Sequence, residues 1–168
     1  MDFGLVFLLA FGVIMALAMV LVVKAEKSPI VYDEMQQSVQ GTAYKYTAIT
    51  GILAGILAAL LLNLDVVPMD GSFAMLTVSL LMVAVYTIHM ILKGVFFGVS
   101  GKWKMWTVME FILGLANTCT GVLRLYQDGL PTGKLTMVNA NLMTGLLFLV
   151  VAGAVLVRKA MEKKDHAL

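Results

Sequence analysis

Long apolar runs separated by short polar connections fill this chain of 168 residues. The runs fall at residues 3–23, 47–64, 73–92, 107–124 and 135–157. A helix that crosses a bilayer needs ~20 mostly apolar residues, because in hydrocarbon every backbone donor and acceptor must be satisfied within its own segment. Four runs meet this requirement outright, and the fourth in order carries Glu110 in its first turn. The pattern predicts an all-α fold: one membrane domain over residues 1–168, an integral bundle of five transmembrane helices.

The longest connection runs from Lys24 to Lys45. Ser28-Pro29 interrupts helical geometry there, since proline disfavours the helical region for the residue before it. Met35, Val39, Ala43 and Tyr46 then recur at helical spacing and form one apolar stripe. Asp33 and Glu34 at the start suit the positive end of a helix dipole. Residues 33–46 therefore predict a short amphipathic elbow on the inner membrane surface, leading into the second span. It serves either as a connector or as a docking surface for a partner, presenting Asp33, Glu34, Gln36 and Lys45.

Composition agrees with the pattern. The chain is 61% hydrophobic and 13% charged, against about half and a quarter for a soluble domain. The placement of charge says more than its total. Lys24, Lys27, Lys45, Lys93, Lys102, Lys104, Arg158, Lys159, Lys163 and Lys164 fall on one side of the runs, and only Arg124 and Lys134 on the other. Basic loops stay cytoplasmic, which places the N-terminus outside and the C-terminus inside. The opening Met1-Asp2-Phe3 has no basic segment before its apolar run, so that run reads as a retained span rather than a signal peptide.

Familiar chemistry is sparse. Cys119 has no cysteine partner, and His89 and His166 stand in no metal-ligand spacing. Phosphate-loop, H-E-x-x-H and G-x-S-x-G patterns do not occur. The expectation is a chain that is not an enzyme and that holds neither cofactor nor metal. Trp103 and Trp106, interleaved with Lys102 and Lys104, read as an interfacial anchor and call for no nucleic acid.

The candidate site is a polar stripe. Glu110, Gly114, Asn117, Gly121 and Arg124 lie within roughly an 80° arc of one helix. Such a stripe must turn away from lipid. It lines a solute or ion path with Asn117 at mid-depth, or it is a packing face whose glycines allow close approach. His89 and Lys93, four residues apart, end the third span near the depth of Glu110. They could form an inner cluster in which His89 titrates near neutral pH. Asn139 and Asn141 open the last span and complete the candidate path. Gly51-x-x-x-Gly55 reads as a helix-packing face, and Asp65, Pro68, Asp70 and Gly71 as a tight outer turn.

The string Tyr32-Asp33-Glu34-Met35-Gln36, followed by Gly41-Thr42-Ala43-Tyr44-Lys45-Tyr46, resembles the Y-D-E-R-Q…R-G-K-A-Y-K-Y signature of a group of small, uncharacterised bacterial multi-pass membrane proteins. Asn139-Ala140-Asn141-Leu142 is similar to the N-x-L element that opens their last span. Met35, Gln40 and Thr42 stand where that signature has basic residues. The resemblance implies a multi-pass fold in the bacterial cytoplasmic membrane and brings no activity with it. The expected function is a non-enzymatic accessory or subunit of a membrane complex. Its partners are the bilayer, another membrane protein or further copies of itself. The alternative is a small-solute or ion transporter or channel acting as an oligomer, lined by Glu110, Asn117, Arg124, Asn139 and Asn141.

Overall fold

The computed structural model describes residues 33–96, 103–130 and 133–165. The first apolar run, residues 3–23, lies outside them, as do Lys24, Lys27, Lys102 and His166. Four helices account for most of the rest: α1 Glu34–Asn63, α2 Gly71–Leu92, α3 Trp103–Asp128 and α4 Ala140–Asp165. They overlay the last four apolar runs, and each is part of a segment long and apolar enough to cross a membrane.

The expected elbow, residues 33–46, is helical from Glu34 and continues without interruption into the run after it, one helix of 30 residues ending at Asn63. At 1.5 Å per residue α1 is ~45 Å long, against ~30 Å of hydrocarbon. About ten residues therefore exceed the hydrocarbon thickness, close to the extent of the elbow. The hydroxyls of Thr42 and Thr47 donate back to the carbonyls of Ser38 and Ala43 at 3.0 and 2.8 Å, so neither interrupts the helix.

Beyond Asn63, Asp65 takes the left-handed backbone region at φ 50°, which aspartate enters more readily than most residues. Asp70 then caps α2, its carboxylate accepting from the Phe73 N–H at 2.6 Å. The α3–α4 connection turns through Gly129 and Gly133, both at positive φ, into a 3-10 turn at Met137–Asn139. Main-chain bonds tie the two connections together. Asp70 N–H donates to the Leu135 carbonyl at 2.8 Å, and Leu135 N–H donates to Pro68 at 2.7 Å.

This tie gathers the end of α1, the start of α2, the end of α3 and the start of α4 at one end of the bundle. α2 and α4 consequently run parallel, with α3 antiparallel to both. The opposite end carries Lys93, Lys104, Arg158, Lys159 and Lys163, and the tied end carries Arg124 and Lys134. The charge bias along the sequence is thus a bias between two ends of the folded bundle.

α4 packs along α3 and, less extensively, along α2. Ile91, Val151 and Val155 form a buried core near the basic end, covered by Trp103, Leu147 and Ala154. Among the described helices α1 packs least against the others, with Ala43 its one buried residue. It meets α2 at Gly51, where a Cβ would come within 2.6 Å of Met82 Sδ. Gly55 has open space beside it, so of the expected G-x-x-x-G face only the first glycine makes a close contact. Further along, an apolar groove of about 130 Å³ separates the two helices between Ala58 and Val78.

The two carboxylates of the outer turn differ in weight. Asp70→Ala removes a helix cap and should cost ~1 kcal/mol of stability. The Asp65–Lys134 pair, 3.1 Å apart, joins side chains that are 81% and 48% exposed. Exposed pairs contribute little, so Lys134→Ala should change stability by less than ~0.5 kcal/mol. Thermal melting of the purified variants in detergent distinguishes the two.

Candidate functional site

The two glycines of the α3 stripe meet α4 directly. A Cβ at Gly114 would approach Leu149 Cδ2 to 2.9 Å, and one at Gly121 would approach Leu142 N to 2.7 Å. Between them Gly145 of α4 lies against the Thr118 hydroxyl and backbone. The seam therefore pairs 114 with 149, 118 with 145 and 121 with 142, the register of two antiparallel helices. Backbones this close leave no solute-wide space between α3 and α4 along these turns.

Carried one turn toward the basic end, the same register sets Glu110 level with Gly153. The parallel α2–α4 pair is fixed by the contact of Gly94 with Arg158 and by the Met69–Leu135 bridge. That register brings His89 to about the same level. Glu110 Oε2 and His89 Nε2 are both buried and accept or donate no hydrogen bond. Lys93 does not share their burial. It is exposed at the C-cap of α2, where its backbone N–H donates to the His89 carbonyl at 3.1 Å.

The far side of His89 belongs to α1. The Tyr46 ring meets the imidazole edge-on, with centroids 5.3 Å apart. Tyr44 stacks obliquely on Tyr86 at 5.0 Å, and Gln40 Nε2 donates to the Tyr86 hydroxyl at 3.2 Å. These tyrosines come from the Tyr44-Lys45-Tyr46 string, and they clasp α1 to α2. Asp33, just before α1, and Glu34 and Lys45 on it are exposed, and Gln36 is half-buried.

The remaining candidates disperse. Asn117 Nδ2 donates to the Leu113 carbonyl of its own helix at 2.9 Å. Arg124 is exposed toward the tied end of α3. Asn139 is 2% exposed, and its Oδ1 accepts from Thr136 N–H at 3.1 Å, while the Thr136 hydroxyl accepts from Val138 N–H. It closes a capping box. Asn141 is half-buried in the first turn of α4. The stripe thus divides into a packing seam, a self-bonded side chain and helix ends, and the buried polar atoms without partners are Glu110 Oε2, Thr118 Oγ1 in the seam and, on α2, His89 Nε2.

Sequence reasoning missed Thr118, Gly145 and the tyrosine clasp. Thr118 had a local signal, since it lies four residues after Gly114 and three before Gly121. Tyr86 had none, because its partners come from another helix. Among the described residues no three His, Cys, Asp or Glu side chains assemble as a metal site. Compared with family models, with curated proteins and with solved structures, the chain matches none.

Proposed function

We propose that the chain is a five-span protein of the bacterial cytoplasmic membrane, N-terminus outside and C-terminus inside. In this reading it acts as a non-enzymatic accessory or subunit of a membrane complex. The basic end of the bundle and the Tyr32–Tyr46 loop signature support the location and orientation. One observation carries the docking role. α1 is apolar enough to span, yet with Ala43 its one buried residue it leaves Ile49, Ile52, Leu53, Ile56, Leu57 and Leu60 exposed. In lipid, helices associate through close packing, and this helix has most of its surface available for it. Its charged start, Asp33 and Glu34, extends that surface beyond the hydrocarbon.

A photo-reactive residue at Ile52 or Ile56, followed by extraction with the surrounding bilayer patch and mass spectrometry, tests this proposal. A stoichiometric second protein is expected at both positions, and lipid alone at Val122 on α3. Cross-links from α1 only to other copies of this chain would overturn the accessory role in favour of an oligomer. Reversing Asp33 and Glu34 to lysine should release the partner without moving the melting temperature of the bundle. Unchanged association would remove these carboxylates from the interface.

The transporter or channel reading rests on the unpartnered polar atoms of Glu110 and His89 at one depth. Glu110→Gln should then stop flux in reconstituted vesicles. Its other lining residues contribute less, since Asn139 is engaged in a cap and Asn117 in its own helix.

A further inference from the structure

Basic side chains converge on one indole at the end of the bundle opposite the tied turns. Trp103, the first residue of α3, packs on the Ile91–Val151–Val155 core. The Lys159 ammonium stands 5.2 Å from the centroid of its ring, and the Lys104 ammonium 5.8 Å. Arg158 lies against Gly94, which holds the left-handed region at φ 74° and where a Cβ would come within 3.3 Å of Nη2. Lys93 precedes that glycine.

These cations have one described carboxylate among them. Glu162 accepts from Arg158 Nε at 3.1 Å and from Lys159 Nζ at 2.6 Å. Lys93 and Lys104 add to the positive excess, and the first turn of α3 contains no acidic side chain. All of this sits where the apolar parts of α2, α3 and α4 stop, directly above a hydrocarbon-like core. A ligand that answers it has a compact anionic group attached to apolar chains. Part-exposed ion pairs are weak, so such an anion competes well with Glu162.

We propose that the Lys104–Trp103–Lys159 face, with Arg158 beside it, is a binding site for the phosphodiester of an anionic phospholipid. Glu162 holds Arg158 and Lys159 in place until the lipid arrives. The site does not depend on a protein partner, so its failure would leave the docking role of α1 standing.

The test uses the delipidated full chain in neutral detergent, titrated with phosphatidylglycerol, with phosphatidylcholine of the same acyl chains, and with inorganic phosphate. Indole fluorescence and native mass spectrometry report binding. Phosphatidylglycerol should saturate one site at least tenfold more tightly than phosphatidylcholine, and inorganic phosphate should not displace it. K104Q and K159Q should each weaken phosphatidylglycerol roughly fivefold, the effect of one basic group at an anionic surface. E162Q should tighten it, whereas a purely structural ion pair predicts no gain. K134Q, the same charge change at the tied end, should leave affinity unchanged. Equal affinity for the two lipids, or equal weakening by K134Q and K104Q, would overturn the site. Displacement by inorganic phosphate at lipid-like concentrations would assign it to a free ion instead. Should K159Q fail to fold, the sign of the E162Q effect decides.

Discussion

Gly145→Leu is expected to prevent α3 and α4 from closing and to remove the folded protein from the membrane. A Cβ at this position would meet the Thr118 hydroxyl, the Thr118 backbone nitrogen at 2.5 Å and the Gly114 carbonyl at 2.9 Å. A flexible side chain could swing aside, but main-chain atoms cannot, so the helices must separate. Overfilling a packed site usually costs ~1–3 kcal/mol, and a main-chain clash belongs at or beyond the upper end. In hydrocarbon the loss is acute, because helix association there depends on close van der Waals contact. Gly121→Leu should behave similarly against Leu142. Gly55→Ala and Gly153→Ala, with open space at the Cβ, should be neutral or stabilising by up to ~1 kcal/mol, the helix-propensity difference. Melting in detergent and membrane abundance report all four. A Gly145→Leu protein that melts like the parent would refute the pairing of 118 with 145.

The second large effect belongs to Asn139→Leu, expected to cost ~2–4 kcal/mol. Part is the lost cap, typically ~1 kcal/mol. The rest is the penalty of leaving the half-buried Thr136 N–H without its acceptor. Thr136→Val removes the reciprocal half of the box and should cost less than the sum when combined with Asn139→Leu, because the two residues act as one unit. If Asn139 instead lines a path, its substitution should alter flux while the melting temperature stays put. Thermal melting of the single and double variants, alongside vesicle flux, separates the two roles.

Much of the architecture was legible because its causes are local. Apolar runs of span length mark the four helices, closely for α2 and less so at the start of α1 and the end of α4. The bias of lysine and arginine predicted which helix ends lie together. The extent of α1 was not legible as a single helix. Sequence marks where apolar residues begin, at residue 47, whereas the backbone continues from Glu34 since nothing between breaks it. The tie between Met69 and Leu135 is carried by main-chain atoms, which leave no trace in side-chain pattern.

The stripe on α3 shows a different gap. Helical spacing says which residues share a face, but not what the face meets. Gly114 and Gly121 became a seam because α4 supplies Leu149, Gly145 and Leu142 in matching register. Asn139 looked like a path residue because a buried amide reads the same whether it bonds a solute or its own turn. The reciprocal spacing with Thr136 was present, with asparagine in place of the usual glutamate or glutamine.

The outer turn after α1 is fastened to the segment before α4 by main-chain bonds, while side chains, among them Gln40, Tyr44 and Tyr46, hold the other end of α1 against α2. That difference makes the helix a lever with a fixed fulcrum. For a rod of ~45 Å, a tilt of 5° about the turn moves the tip near Glu34 by about 4 Å. It also shifts the Tyr46–His89 contact by more than half that distance, and hardly disturbs Leu61 near the fulcrum. A force applied to the charged tip therefore reaches the Gln40 and Tyr44 contacts with Tyr86, then the imidazole, and the turn last.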